Sequence, residues 1–494
     1  MAEVRKWSGD LHQMIYTHVL LIGVPTIFYY CLRQGGMSLI DVHLAIATFF
    51  LFSSLVIILE ATTALFRRFA VAEKPPMNQW EKWGRAVKTA IGVGGRRLLP
   101  STTPLPRCSF LVAAYLPNEQ DIILDTMRHM LYNVDRPDGG LELILAYNTP
   151  MDLPIEEDLR HLSQTHPELR LLRVEGSHSK AENLNAALDI VTGEIVCVVD
   201  ADHHPASDCF VRAWRWLEHG YDVVQGRNVI RNHASNLLTK NIAIEFESVY
   251  GVSHPAKSFL TDSTIFCGSN GYWRTSVLKR IRFNPAMLTE DIDASMRTLL
   301  SGYRIIHDRS IVTTELAPVD FNSFWFQRKR WAQGWLEVSF KYQRRIWKSN
   351  KLTLWQKVYW TYLLYYCVLY SLIAPQILPL ILSMLLFQGT VPASDNLYLW
   401  ISTLITFSSG AYQTLVTMKV AALRYPAFYF IQHGVLIFLY TILKNMIAVV
   451  GLYDHLHGDN KWVVTPRGAT ANRLSSTRRS TILAVNRRLS STKP

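Results

Sequence analysis

Cysteine is scarce in this sequence: six in 494 residues, at positions 31, 108, 197, 209, 267 and 367, with no CxxC pair and no metal-type spacing. That excludes a disulfide framework and a structural zinc site, and leaves Cys197 and Cys267 as reduced core residues. Charge is low as well, at 18% of residues, and unevenly placed. No formal charge interrupts Met14 to Cys31 or Val42 to Leu59, each long enough to span a bilayer. No small-residue cleavage site follows the first run, so the pair is expected to remain as a helical hairpin anchor. Acid is missing altogether from 468 to 494. That tail is rich in Ser, Thr and Arg and is expected to be disordered, with basic clusters at 478–480 and 487–490 that resemble kinase sites.

A net charge of +12 raises the question of nucleic acid. The cations, however, gather at the flanks of the apolar runs: Arg5 and Lys6 before the first, Arg67, Arg68, Lys74, Lys82, Arg85, Lys88, Arg96 and Arg97 after the second. Anionic membrane lipid is the expected partner and nucleic acid is not. The same asymmetry puts the N-terminus and the middle of the chain in the cytosol, at the plasma membrane. Three more apolar segments follow, Val358 to Gln388, Asn396 to Met418 and Tyr425 to Leu443. Lys419 and Arg424 hold the 419–426 loop inside, so the first of these exits and the second returns. The third is read as re-entrant or lying in the interface. A split of the first segment at Pro375 and Pro379 is the alternative.

The middle has ordinary polar content. Runs 108-CSFLVAAY-115, 141-LELILAY-147, 170-RLLRVEG-176 and 194-EIVCVVDAD-202 read as buried strands, alternating with helical patterns such as 180-KAENLNAALDI-190. This predicts an α/β domain with a largely parallel sheet, whose ligands bind beyond the carboxyl ends of the strands. One strand ends in Asp200-Ala-Asp202. Two carboxylates so placed suit a hard divalent cation, although turns are rich in Asp for reasons of their own. His203 and His204 are expected to cap that turn rather than bind metal.

The stretch 324-FWFQRKRWAQGW-335 sets Arg328, Lys329 and Arg330 among five aromatic side chains. On its own it reads as an amphipathic helix at the headgroup level. In order along the chain stand Asp200-Ala-Asp202, 266-FCGSN-270, 289-TED-291 and Gln327-x-x-Arg330-Trp331. Together they resemble the processive family 2 glycosyltransferases, the synthases of cellulose, chitin, hyaluronan and poly-N-acetylglucosamine. The resemblance covers about 104 to 467.

The resemblance implies a GT-A type nucleotide-sugar-binding domain flanked by transmembrane helices. The implied boundaries are 1–103 for the hairpin and linker, 104–320 for the cytosolic catalytic domain and 321–356 for QxxRW and interface helices. After these come 357–452 for channel helices, 453–467 for a gating-loop-like segment and 468–494 for the tail. It implies Mg²⁺ or Mn²⁺ on Asp200 and Asp202, and a UDP-sugar donor held by Glu119, Lys180, Asp200, Gln327 and Arg330. Thr465 and Arg467 of 462-WVVTPR-467 would close over that donor. A growing polysaccharide acceptor would meet Gln225, Gly268, Ser269, Asn270 and Trp331. Asp291 would be the general base, with Glu290 and Asp202 beside the chemistry; a helix start at Thr289 is the plain alternative for Thr-Glu-Asp. Asp293 is expected to be solvated. Asn148 stands where the family carries an Asp, which loosens the choice of nucleobase.

The implied activity is inverting synthesis of a β-linked polysaccharide, from a UDP-sugar of glucose or N-acetylglucosamine type, with passage across the membrane. Single transfer to a glycolipid and a silent membrane scaffold or transporter are the competing readings. The sequence carries no mark of oligomeric state.

Overall fold

A computed structural model describes residues 16–17, 19–66, 70–71, 97–98, 101, 103–388 and 396–458. The segment 462–467, with Thr465 and Arg467, and the basic tail lie outside the described residues.

Eight strands make one sheet: β1 (Cys108–Tyr115), β2 (Leu141–Asn148), β3 (Leu169–Arg173), β4 (Ile195–Asp200), β5 (His204–Pro205), β6 (Val223–Ile230), β7 (Gly271–Arg274) and β8 (Ile305–Glu315). Their order is β3-β2-β1-β4-β7-β6-β8-β5. The first four in sequence fall on the expected runs. Three of them, β1, β2 and β4, are almost wholly buried because both faces are covered, whereas β3 at the edge carries Arg170 and Arg173 and is mostly half-buried. Phe110 and Val112 pack on one side with Met127, Phe210 and Trp216, while Leu111 and Ala113 pack on the other with Leu184, Trp273 and Tyr342.

The sheet is mixed. Pairings β1–β2, β2–β3, β1–β4 and β6–β8 are parallel, whereas β7 runs antiparallel between β4 and β6, and β5 antiparallel to β8. The short β7 was not legible as a strand. It exists because the 266–270 loop folds back onto the sheet: a Cβ on Gly271 would lie 2.2 Å from the Phe266 ring, so only glycine permits that return.

The helices that frame the site and the apolar layer are α1 (Val24–Gln34), α2 (Leu39–Phe66), α3 (Lys180–Ile190), α4 (Leu237–Ser248), α5 (Glu290–Leu300), α6 (Phe321–Lys348), α7 (Leu354–Ile373), α8 (Ile377–Gln388), α9 (Leu397–Val420) and α10 (Ala427–Leu456). Among the described residues, three stretches are long and apolar enough to cross a membrane by length and composition: Leu39–Phe66, Leu354–Phe387 and Ala427–Leu456.

Of the expected span from Met14, the described residues form the shorter apolar helix Val19–Gln34. Pro375 tightens one turn, Ala374–Gln376, between α7 and α8; the run continues as one stretch. The expected returning segment forms α9, but it is not one of the three. Its Ser402, Ser409, Thr414 and Thr417 are buried, and it packs on α2, where Thr62 and Tyr412 hydroxyls meet at 3.1 Å.

The third segment is longer than Tyr425 to Leu443 and lies against the catalytic domain along most of its length. His433 bonds Asn241 at 2.9 Å, Tyr440 bonds Glu245 at 2.7 Å and Asp454 bonds Lys329 at 2.6 Å. These partners sit on α4 and α6, so α10 follows the surface of the domain. Its length and composition would allow a crossing, where a re-entrant or interface-lying helix was expected.

Two arginines of the sheet, Arg227 buried and Arg309 half-buried, dock the apolar helices. Arg309 donates to the carbonyl of Ala64 in the last turn of α2 at 3.0 Å, and Arg227 to that of Val420 at the end of α9 at 2.9 Å. Cations there satisfy carbonyls that a helix C-terminus leaves open.

Candidate active site

A cavity of about 910 Å³ opens at the carboxyl ends of β1, β2 and β4, where an open α/β sheet binds its ligands. Asp200, the last residue of β4, lines it. Asp202 lies just beneath, 1% exposed, its Oδ2 accepting the Leu316 N–H at 3.0 Å. Ligand atoms of Asp200, Asp202 and His203 all lie within 4.8 Å of one another. The two carboxylates fit a hard divalent cation.

His203 does not fit as a ligand. Its Nδ1 is 2.9 Å from Asp202 and its Nε2 2.7 Å from Glu315. Burial pulls its pKa down, but Glu315 and Asp202 outweigh that and take it up to about 9, so it is a cation that braces Asp202. Neither histidine merely caps a turn: His204 stacks on His129 with ring centroids 4.4 Å apart, inside the protein.

Lys180 opens α3, where Ser179 caps the helix by accepting the Glu182 N–H. Its ammonium bonds the Asp200 carboxylate, donates to the Gly268 carbonyl at 2.7 Å and stands 3.9 Å from Glu290. Burial lowers its pKa, yet Asp200 and Glu290 leave it raised, and they keep the lysine charged. Glu119 lines the cavity and accepts the Tyr115 N–H at 2.9 Å. Asn148 lines it too, held by the Ser177 carbonyl at 3.0 Å and by Asn183 at 2.8 Å.

The 266–270 loop divides the residues read from it. Gly268 and Ser269 line the cavity. Gln225 and Asn270 do not: both are 0% exposed. Gln225 accepts the Cys267 N–H at 2.8 Å and donates to the Ser269 carbonyl at 3.0 Å; Asn270 donates to the Arg227 carbonyl at 3.2 Å. Their amides hold the loop from behind, which corrects the expectation of acceptor contact. Gly268 has φ +82°, and a Cβ there would come 3.0 Å from the Asp291 carboxylate.

Asp291 sits in the first turn of α5 with Glu290, and both line the cavity. Burial raises its pKa, and the neighbouring Glu290 charge adds to that. Lys180 and Arg330 offset part of it, and the result is about 7. A carboxyl poised there is suited to general base work near neutral pH. The helix start at Thr289 is present as well: α5 begins at Glu290 with Glu290, Asp291 and Asp293 in its first turn, although the Thr289 hydroxyl makes no capping bond. Thr289 instead packs on α6, where a Cβ on Gly334 would lie 2.2 Å from its methyl group. Asp293 is not solvated. It is 0% exposed and bonds Tyr342 at 2.6 Å, Lys341 at 2.7 Å and Arg297 at 2.8 Å, tying α5 to α6.

Gln327, Arg330, Trp331 and Trp335 come from one face of α6 and line the cavity, as their spacing of three and four dictates. Others of the 324–335 stretch pack against protein, and Arg328 reaches the cavity wall as well. Phe324 is 0% exposed, Arg328 pairs with Glu245 at 2.6 Å and Lys329 with Asp454 at 2.6 Å. Glu245 was missed in the sequence. The only signal was an acid inside the apolar run 242-IAIEF-246.

Comparison with known proteins agrees with this arrangement. The profile described as Glycosyl transferase family group 2 matches residues 195–449, from β4 into α10. A probable glucomannan 4-β-mannosyltransferase of Oryza sativa subsp. japonica is 25% identical over 289 residues, covering 56% of this chain and 46% of that protein. A poly-β-1,6-N-acetyl-D-glucosamine synthase of Staphylococcus epidermidis is 28% identical over 250 residues, covering 50% and 59%. The cellulose synthase catalytic subunit of Komagataeibacter sucrofermentans is 26% identical over 172 residues, covering 33% and 23%. The chain thus spans about half the length, or less, of these curated relatives. Among solved structures, a mannosyltransferase from Pyrobaculum calidifontis in complex with GDP-Man and Mn²⁺ shares the fold. Its TM-score is 0.53 at 23% identity, covering 80% of this chain and 98% of that one. With the matched span holding Asp200, Asp291, Arg330 and Trp331 around one cavity and Asp202 just beneath it, the chain belongs to glycosyl transferase family group 2.

Proposed function

We propose that the protein is a membrane-integrated, inverting glycosyltransferase that builds a β-linked polysaccharide from a UDP-sugar of glucose or N-acetylglucosamine type and passes it across the membrane. The observation that carries this reading is that two chemistries line one cavity. Lys180 and Arg330 suit a diphosphate, Asp200 suits the cation that would accompany it, and Asp291 and Trp331 suit a sugar hydroxyl and its ring.

In this reading Asp291 takes the proton of the acceptor hydroxyl as its oxygen bonds the anomeric carbon from the face opposite the leaving group. The bond from that carbon to the diphosphate breaks, and the nucleoside diphosphate carries away the electron pair. Planar Arg330 and the Lys180 ammonium meet the charge that develops on it. A divalent cation held by Asp200 and Asp202 would supply further neutralisation of the diphosphate. Trp331 offers an aromatic face to the C–H surface of a sugar. Thr465 and Arg467, 462–467 being a short distance beyond α10, would cover the donor and exclude water.

The direct test is purification in detergent, incubation with a panel of UDP-sugars and Mg²⁺ or Mn²⁺, and chain-length and linkage analysis of the product. A polymer is the expected result. A single-sugar glycolipid, or donor turnover with no glycosylated product, would refute polymer synthesis.

A further inference from the structure

Beneath Trp331 lies a buried ionic cluster that the proposed chemistry does not use. Arg328 is 9% exposed, and its guanidinium carbon stands 4.4 Å from the Trp331 ring centroid and 5.2 Å from that of Phe324. Its Nη2 donates to Glu245 Oε2 at 2.6 Å. The same carboxylate accepts from the Tyr440 hydroxyl at 2.7 Å and from Lys444 at 2.7 Å. Three helices, α4, α6 and α10, therefore meet at one carboxylate. Burial raises the Glu245 pKa, but Arg328 and Lys444 outweigh it and take it down to about 2, so the cluster stays charged at any working pH.

A buried ion pair of this kind is weak evidence for stability, because desolvation offsets most of its attraction; its better-attested use is to fix one arrangement of the parts it joins. Here the part it joins is a side chain of the cavity. Trp331 lines the cavity, as do Glu245, Phe246 and Arg328. A guanidinium stacked on an indole fixes the ring plane as well as attracting it. Lysine at 328 could keep the charge but not the plane.

We infer that Arg328, anchored by Glu245, is a positioning residue that holds the Trp331 ring in register with the acceptor, so that elongation and not donor binding depends on it. This rests on the reading of Trp331 as an acceptor contact. A ring displaced by about 1 Å is enough to cost on the order of a hundredfold in a transfer reaction.

The test is a double-mutant cycle on the full-length protein in lipid nanodiscs, with UDP-glucose and UDP-N-acetylglucosamine as donors and UDP binding measured by calorimetry. Arg328→Met should lower transfer by about tenfold or more in the wild-type background and by less than about twofold in Trp331→Ala, with UDP affinity unchanged in both, because one residue acts through the other. Losses that multiply across the two variants would overturn the coupling, and so would weaker UDP binding by Arg328→Met. Arg328→Lys keeps the pair with Glu245 and so guards against a simple failure to fold. It too should lose transfer, and wild-type transfer would sink the inference. If Trp331→Ala itself transfers normally, the acceptor reading of the cavity falls, and this inference with it.

Discussion

At the scale of single residues, Asp291 shows the tension in this cavity. Its carboxyl is raised from 3.8 to about 7 by burial and by Glu290, so the folded state holds that proton more tightly than the unfolded chain does. The stability this contributes is full below pH 3.8 and is lost as pH rises through about 7. Function asks for the opposite, an ionised base. Asp291→Asn should therefore abolish transfer and also raise the melting temperature. The gain should grow between pH 4 and 7 and level off above, as thermal scans of the nucleotide-free protein would reveal; a gain that shrinks with pH contradicts it. For the wild type, the same shift predicts transfer that rises with pH to a plateau above about 7. Asp202→Asn should leave the fold intact and remove metal-dependent donor binding; full activity in EDTA would remove the pair from the site. That Asp200, Asp291 and Arg330 belong to one site was legible from the set of motifs that carries the resemblance, and all three line the cavity. Gln225, Asn270 and Asp293 misled because a polar residue looks the same in sequence whether it faces substrate or braces a loop, and only burial separates the two.

Among elements, α6 matters most, since it carries Gln327, Arg330 and Trp331 into the cavity and touches the Thr289–Asp291 turn. Gly334 sets that approach, for a Cβ there would lie 2.2 Å from the Thr289 methyl and 2.5 Å from its hydroxyl. Gly334→Ala should cost about 1–3 kcal/mol through overpacking and suppress transfer more than it lowers stability, because it pushes the base turn away from the donor side. Thr289→Ala in that background removes two of the overlapping atoms and should restore part of the activity. Assays of the single and double variants decide it: no rescue, or a harmless Gly334→Ala, would place the contact elsewhere. Strands β1, β2 and β4 were readable from largely apolar runs, and β3 from its leucines between arginines. Strand β7 was not, because four residues carry no period and its direction comes from a loop that folds back on Gly271. The 324–335 stretch was half legible: the QxxRW motif pointed to Gln327, Arg330 and Trp331, but the acids that answer Arg328 and Lys329 lie about 80 and 125 residues away in sequence, beyond any local pattern.

For the whole molecule, the catalytic domain is seated on the apolar layer by buried polar contacts as well as by packing. Arg309 and Arg227 reach the C-terminal carbonyls of α2 and α9, and Lys257 lies 3.6 Å from Glu60 within α2. Both helix ends therefore lie on the side of the catalytic domain. If α2 crosses, the turn at 35–38 lies on the far side. Gly36→Cys in a Cys31→Ser background should then react with an impermeant maleimide only from the face opposite that domain; labelling from the domain's own face would mean that α2 does not cross. Hydropathy identified the apolar segments but not their pose, since α10 is apolar enough to cross and yet carries His433, Tyr440, Lys444 and Asp454 toward the domain. The central claim is that one cavity binds a nucleotide-sugar through one set of residues and activates an acceptor through another. It is tested most directly by measuring UDP affinity and sugar transfer side by side for wild-type and Asp291→Asn protein in the same nanodisc preparation. The account predicts UDP affinity within about twofold of wild type and transfer reduced on the order of a hundredfold or more. Affinity that collapses along with transfer, or transfer that survives the substitution, would contradict it.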